Sequence, residues 1–229
     1  MEKNYSIIAL LPMKGNSERV KGKNFKMFCG KPLYRWVLDT LIACQEIDLI
    51  VINTDVRDIL ENSSLPDSKK ILIRDRPREI QGDFVSMNKI IENDLDNINA
   101  NTYLMTHTTN PFLSLQTIKN ALITYKKEIF NNKDSLFSVN AFQTRFYKRD
   151  GHPINHKLSK LKRTQDLEIW YEENSNLYLF SKNSFDETKN RIGKYPILFE
   201  TPKYESLDID TLEDWNYAEL IMKAMHQKF

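Results

Sequence analysis

Short apolar runs alternate with helical stripes along the first 130 residues, and that rhythm limits the chain to few architectures. The runs SIIALLP (6–12), LIVINT (49–54), KILIR (70–74), TYLMT (102–106), SLFSV (135–139) and NLYLF (176–180) have the length and content of buried strands. Between most of them lie helical patterns. Leu33, Trp36, Val37, Thr40 and Leu41 form one stripe after Pro32, which suits a first helical turn. Leu115, Ile118, Leu122, Tyr125 and Ile129 form a second, and Trp215, Ala218, Ile221, Met222 and Met225 a third. Strand and helix in alternation predict an α/β fold, a mostly parallel sheet with flanking helices on both faces. Residues 141–175 break the rhythm, being polar, aromatic and basic without a period, and read as an inserted arm. No repeat or linker divides the chain, so 1–229 is expected to be a single domain.

The net charge is only +2. A general nucleic-acid binder carries a larger basic excess, so no nucleic-acid partner is expected. Cys29 and Cys44 supply neither a disulfide framework nor a metal-ligand spacing, which suits a reducing compartment. The apolar run near the N-terminus is short, is followed by Pro12 and Lys14, and lacks a small-residue cleavage site. No later stretch approaches the ~20 apolar residues of a membrane span. The chain is therefore read as soluble and cytoplasmic, with no membrane partner.

Against that near-neutral background, residues 13–24 (MKGNSERVKGKN) are locally basic. In an open parallel sheet, ligands gather outside the carboxyl ends of the strands, where this loop leaves the first strand. Gly15 and Gly22 allow close backbone approach and positive φ. Exposed N–H groups with Lys14, Arg19, Lys21 and Lys23 would surround a polyphosphate. The P-loop spacing is not met, since six residues separate the glycines and Asn24 follows Lys23; the dinucleotide fingerprint is absent too. The alternative is a solvated basic loop.

A second constellation is ESLDIDTLEDWNYAE (205–219). Residues two apart in an extended segment share a face, so Asp208 and Asp210 would project together, about 7 Å apart at Cα. Two such carboxylates can share one Mg²⁺. Thr211 with Asp214 also has the pattern of a capping box, and Asp210 could itself cap the following helix. Asp83, ahead of a helical stripe through Met87 and Ile91, reads as a helix cap.

PMKGNSERVKGKN (12–24) resembles the first motif of the cytidylyltransferases that activate sialic acid and related sugar acids. Pro12, Gly15, Ser17, Arg19, Gly22, Lys23 and Asn24 match. Lys14 stands for the usual Arg, Asn16 for Gly, Glu18 for Lys and Lys21 for Pro, and the change at Lys14 keeps charge while losing bidentate geometry. The resemblance continues through INTD (52–55), RPREIQGDFVSMNKII (76–91), MTHTTNPFL (105–113) and EENSNLYLF (172–180). It implies a Rossmann-like, GT-A-like nucleotidyltransferase that joins CMP from CTP to a sialic-acid-like sugar acid and releases pyrophosphate. It implies CTP contacts at Lys14, Gly15, Ser17, Lys23, Asn24, Arg76 and Ser86, catalysis by Lys14, Arg19, Lys23, Asp208 and Asp210, and Mg²⁺ on Asp208 and Asp210. His107 stands where the family has a substrate-touching Gln, and Asn110 where it has Ser; Asn174 and Tyr178 would line the sugar end.

The acceptor's carboxylate wants a cation, and Arg145, Lys148, Arg149 and Arg163 in the arm are candidates, though for any one of them a solvent-facing charge run is the leading reading. In the family this region forms the contact of a homodimer, for which Phe142, Phe146, Tyr147 and Trp170 are aromatic enough. Transfer to a phosphorylated acceptor, giving a CDP-conjugate, and a non-catalytic nucleotide-binding protein are the competing readings.

Overall fold

The computed structural model describes residues 5–226. Its first strand, β1 (Tyr5–Leu10), buries Ile7 and Ala9 in one core and Ile8 and Leu10 in another, because successive strand residues point to opposite faces. A small hairpin, β2 (Met27–Phe28) and β3 (Lys31–Pro32), then leads into α1 (Leu33–Ala43), β4 (Leu49–Thr54), α2 (Arg57–Glu61) and β5 (Ile71–Asp75). Next come α3 (Met87–Leu95), β6 (Ala100–Thr106), α4 (Leu115–Glu128) and β7 (Ser135–Phe142). The chain closes with β8 (Trp170–Phe180), α5 (Lys182–Thr188), β9 (Pro196–Glu200) and α6 (Leu212–His226).

Seven strands form one sheet in the order β5-β4-β1-β6-β8-β7-β9. β8 runs antiparallel to both its neighbours, and the remaining pairs are parallel. The α/β expectation with a mostly parallel sheet and flanking helices is met. β4 lies on one side of β1 and β6 on the other, so the winding reverses at β1, which opens a crevice at the carboxyl ends of these strands. Helices α1 and α4 cover one face through Val37, Leu38, Leu41, Ile118 and Leu122; α3 and α5 cover the other through Ile91, Leu95 and Phe185. No helix among the described residues is long and apolar enough to cross a membrane.

The break expected over 141–175 is narrower in the structure. β7 extends to Phe142 and β8 begins at Trp170, paired as Val139 with Glu173 through Phe142 with Trp170. This ladder carries Glu172, Glu173 and Tyr171 on exposed positions, so it shows no apolar run in sequence. The sheet's edge strand β9 holds a short apolar run, PILF (196–199), that is absent from the runs read as strands, and the seven-residue α5 shows no helical stripe, since it buries only Ser184 and Phe185.

A third apolar cluster decides where the site forms. Val20, Phe28, Leu33, Phe112, Ile209, Trp215, Ala218 and Met222 pack together. Val20 belongs to the basic loop and Ile209 sits between Asp208 and Asp210. Burying each is worth about 1.5–3 kcal/mol, and doing so in one cluster brings the two polar segments to one place.

Candidate active site

A cleft of about 570 Å³ opens at the carboxyl ends of β1 and β6. The basic loop lines it with Lys14, Ser17, Arg19, Lys23 and Asn24; Arg76 follows β5, His107 to Thr109 follow β6, and Asp208 and Asp210 precede α6. Met87, Ile90 and Val85 supply an apolar wall.

Loop and carboxylates are in direct contact. Lys23, 8% exposed, donates to the Ile209 carbonyl at 2.6 Å and to Asp210 Oδ1 at 2.9 Å. Arg19 reaches Asp210 Oδ2 at 2.9 Å. Capping does not occupy Asp210's carboxylate: Asp214 N–H donates to Thr211 Oγ1 (3.1 Å) and Thr211 N–H to Asp214 Oδ2 (2.7 Å), which completes the reciprocal box without it. Lys14 pairs with Asp83, so the expectation that Asp83 caps a helix is corrected. α3 starts at Met87, with Ser86 in the N-cap position.

Two loop residues act through the protein rather than by facing the cleft openly. Asn24 donates Nδ2–H to the Lys14 carbonyl (2.7 Å) and accepts from Thr108 Oγ1 (2.7 Å), tying the loop to the end of β6. Gly15 lies outside the lining, and its N–H donates to Asp55 Oδ1 at 2.8 Å. Its close approach is to the protein itself, since a Cβ there would meet Val56 Cγ1 at 2.3 Å. Gly22, by contrast, does supply a positive φ of 62° at the turn into the 3₁₀ segment Lys23–Phe25.

Arg76 is buried. Nε–H donates to Asn53 Oδ1 (2.9 Å) and Nη2 to the carbonyls of Asn53 (2.8 Å) and Met13 (3.3 Å), so the guanidinium braces the start of the loop. Behind it Asn53 Nδ2–H donates to Asp94 at 2.8 Å, and burial pushes the Asp94 carboxyl up to about 6. Ser86 is outside the lining.

Burial, with the positive Arg191 and Lys23 nearby, lowers the His107 pKa to about 3 against the opposing Asp210. The ring is therefore neutral at physiological pH. Asp208 moves the other way: burial raises its pKa against the Thr109 hydroxyl, and Asp210 adds to the rise. Asp208 Oδ1 is buried without a protein donor. Among the described residues no cluster of three or more His, Cys, Asp or Glu is arranged for a metal. An orphaned carboxylate oxygen beside a second carboxylate nevertheless fits Mg²⁺, which takes one or two protein carboxylates and fills its shell with water and substrate oxygens.

The remaining expected residues distribute unevenly. Asn110 is fully buried outside the lining, and neither polar atom of its amide has a protein partner. Asn174 is held by Asn140 (3.1 Å) and Thr201 (2.8 Å). Tyr178 is a core ring, and burial pushes its hydroxyl up to about 12. Arg145 donates to the Lys162 carbonyl and Arg163 pairs with Asp166 at 2.9 and 3.0 Å; both belong to the arm and neither lines the cleft. Arg191 does line it, stacked 4.0 Å above the Tyr178 ring and donating to the Tyr178 hydroxyl at 2.9 Å. Its sequence context, KNRIGK, has no motif that marks it.

An open sheet whose switch point gathers cations, a neutral imidazole and two carboxylates has the construction of a protein that handles a phosphorylated ligand. The chain belongs to the cytidylyltransferase family, whose model, described as "Cytidylyltransferase", matches residues 8–225. It is 25% identical to pseudaminic acid cytidylyltransferase of Campylobacter jejuni over 96% of this chain and 97% of that one. It is 26% identical to CMP-N,N'-diacetyllegionaminic acid synthase of Legionella pneumophila over 95% and 96% of the two chains. The fold is shared with 4-diphosphocytidyl-2C-methyl-D-erythritol synthase of Anaerococcus prevotii, at TM-score 0.69 and 13% identity, over 96% of each chain.

Proposed function

We propose that this enzyme transfers CMP from CTP to the hydroxyl of a nonulosonic acid, a sialic-acid-like sugar acid, and releases pyrophosphate. The observation that carries the reading is the meeting of Lys23, Arg19 and Asp210 inside one cleft. The fold alone does not choose the acceptor, because the Anaerococcus neighbour bears the name of a different product. Two relatives that align over nearly the whole of both chains are named for pseudaminic and legionaminic acids, which favours a sugar acid.

The acceptor oxygen bonds the α-phosphorus as its proton passes to solvent, and the bond to pyrophosphate breaks. Lys14, Arg19 and Lys23 bind the triphosphate and hold the charge that builds on the departing pyrophosphate. To do so they exchange Asp83 and Asp210 for phosphate oxygens. Arg76 and Asn24 position the loop from behind, and the wall of Val85, Met87 and Ile90 receives the nucleoside. Mg²⁺ held by Asp208 and Asp210 supplies charge neutralisation at the α-phosphate and a lower pKa for the acceptor hydroxyl. His107, being neutral, hydrogen-bonds the acceptor without exchanging a proton.

For the acceptor's carboxylate, Arg191 is the better partner than the arm residues expected from sequence, because it lines the cleft and is pre-oriented by Tyr178 and Glu173. The arm has another use. Phe146 stacks on Trp170 and meets Phe142 edge to face, while Tyr147, Leu158 and Leu161 stay exposed, the last two at 67% and 77%. That apolar surface suits the contact of a homodimer. The reaction is placed in the cytoplasm, where CTP is available.

A pyrophosphate-release assay with CTP, Mg²⁺ and a panel of nonulosonic acids, an octulosonic acid and phosphorylated polyols tests the reading. Release is expected with a nonulosonic acid and CTP, and not with ATP, GTP or UTP in its place. Release only with a phosphorylated acceptor would replace this reading with CDP-conjugate synthesis.

A further inference from the structure

β8 carries an irregularity that the catalytic reading leaves unused. Phe137 pairs with Tyr178 and Val139 with Glu173, so residues 174–177 of β8 face the single residue Ser138 of β7. The protein holds this bulge from every side. Ser138 Oγ accepts the N–H groups of Asn176 (3.1 Å) and Leu177 (2.9 Å), and Asn174 Oδ1 accepts the Asn176 N–H at 3.2 Å. The Asn176 carbonyl accepts from Thr106 Oγ1 (2.7 Å), and its amide donates to the Glu205 carbonyl (3.0 Å). Ser138 and Asn176 are fully buried.

At the centre of the bulge Ser175 has φ 55°, the one non-glycine residue with positive φ inside a strand among the described residues. A side chain pays a steric penalty there that glycine does not, and such outliers persist where surrounding structure enforces them, often at ligand sites. Bulges beside active sites re-aim a side chain. Here the result is that Ser175 lines the cleft with Arg191 and His107, with its Oγ 3.2 Å from the Tyr178 hydroxyl that Arg191 also bonds.

We infer that Ser175 is a specificity-determining residue of the acceptor end: its hydroxyl hydrogen-bonds a hydroxyl or acylamino substituent of the sugar acid whose carboxylate Arg191 holds. The inference rests on the proposed sugar-acid reaction. It assigns a use to a hydroxyl held in a backbone conformation that glycine would adopt without cost.

The test compares wild type, Ser175→Gly and Ser175→Ala by steady-state kinetics and thermal unfolding, with pseudaminic acid or whichever nonulosonic acid wild type turns over. Both variants lack the hydroxyl, but only Gly relieves the backbone. The expected result is a rise in acceptor KM of about tenfold in both variants, with the CTP KM unchanged and Ser175→Gly melting above Ser175→Ala. An acceptor KM unchanged in both, or raised only in the less stable variant, overturns the inference while leaving the reaction standing. A wild type that releases no pyrophosphate with any sugar acid removes the reaction itself, and this inference with it.

Discussion

Asp210 is the residue on which the cationic loop and the carboxylate pair converge, so Asp210→Asn separates their contributions. It neutralises both Lys23 and Arg19, each at 2.9 Å. Its side chain is 37% exposed, whereas that of Lys23 is only 9% exposed. The variant keeps a neutral acceptor for Lys23 and leaves the Ile209 carbonyl bond intact. The stability loss is therefore about 1–2 kcal/mol, the difference between a charge-assisted and a neutral hydrogen bond after screening. For a chain of this size each kcal/mol moves Tm by about 2–4 °C, so the protein remains folded. Turnover behaves differently. Asp210 serves turnover by holding Mg²⁺, whose charge offsets the one developing on the phosphates, so losing half of the two-carboxylate site should cost about 10²–10³ in kcat. Binding provides a sign reversal. With chelator present, removing one negative charge beside the triphosphate should strengthen CTP binding about tenfold, from roughly 1–2 kcal/mol of repulsion relieved. With Mg²⁺ present, wild type should bind CTP more tightly than the variant. Calorimetric titration of CTP in chelator and in Mg²⁺, with kcat and Tm for both proteins, reads all three quantities. Retained turnover, or weaker CTP binding by the variant in chelator, would refute the charge-balance reasoning.

Other perturbations follow from named contacts. His107→Gln should flatten part of the acid limb of stability. The native ring resists protonation until about pH 3 while the unfolded ring protonates at its ordinary 6.5, so wild type loses about 2 kcal/mol relative to the variant between pH 7 and 5, measured by denaturant unfolding. Asp94 works in the opposite direction in wild type and variant alike, because its carboxyl, raised to about 6, makes the fold gain stability as pH falls through that value. Ile209→Ala opens a cavity in the cluster joining loop and carboxylates and should cost about 2–5 kcal/mol, with CTP affinity falling alongside Tm; a loss below ~1 kcal/mol would deny that cluster its role. Gly15→Ala forces a Cβ against Val56 Cγ1 and should cost about 1–3 kcal/mol, largely recovered in the double variant Gly15→Ala, Val56→Ala; failure of that rescue would move the cause elsewhere.

How much of this could be read in advance follows the physics of each feature. The central strands β1, β4 and β6 are buried on both faces, so they announce themselves as continuous apolar runs. The outer ladder of β7 and β8 is half exposed and makes no such run, whereas the edge strand β9 does contain a short one, PILF (196–199), outside the runs read as strands. The basic loop and the Asp208–Asp210 spacing were legible because each chemistry lies within one short segment. That the two segments meet was expected from the family resemblance and not from either segment by itself, since the meeting depends on Val20 and Ile209 packing in one cluster from some 190 residues apart in the chain. Arg191 and Ser175 escaped for the same reason in sharper form. One is a lone cation positioned by Tyr178, and the other is aimed by a bulge that only the pairing with Ser138 creates.

Product analysis tests the central claim most directly. Incubation of the enzyme with CTP, Mg²⁺ and a nonulosonic acid, followed by ³¹P NMR, should show a single phosphodiester resonance for the nucleotide product and an equimolar pyrophosphate signal. A paired diphosphate spin system in the product, or consumption of CTP without any acceptor-linked phosphorus, would contradict transfer of CMP to a sugar hydroxyl.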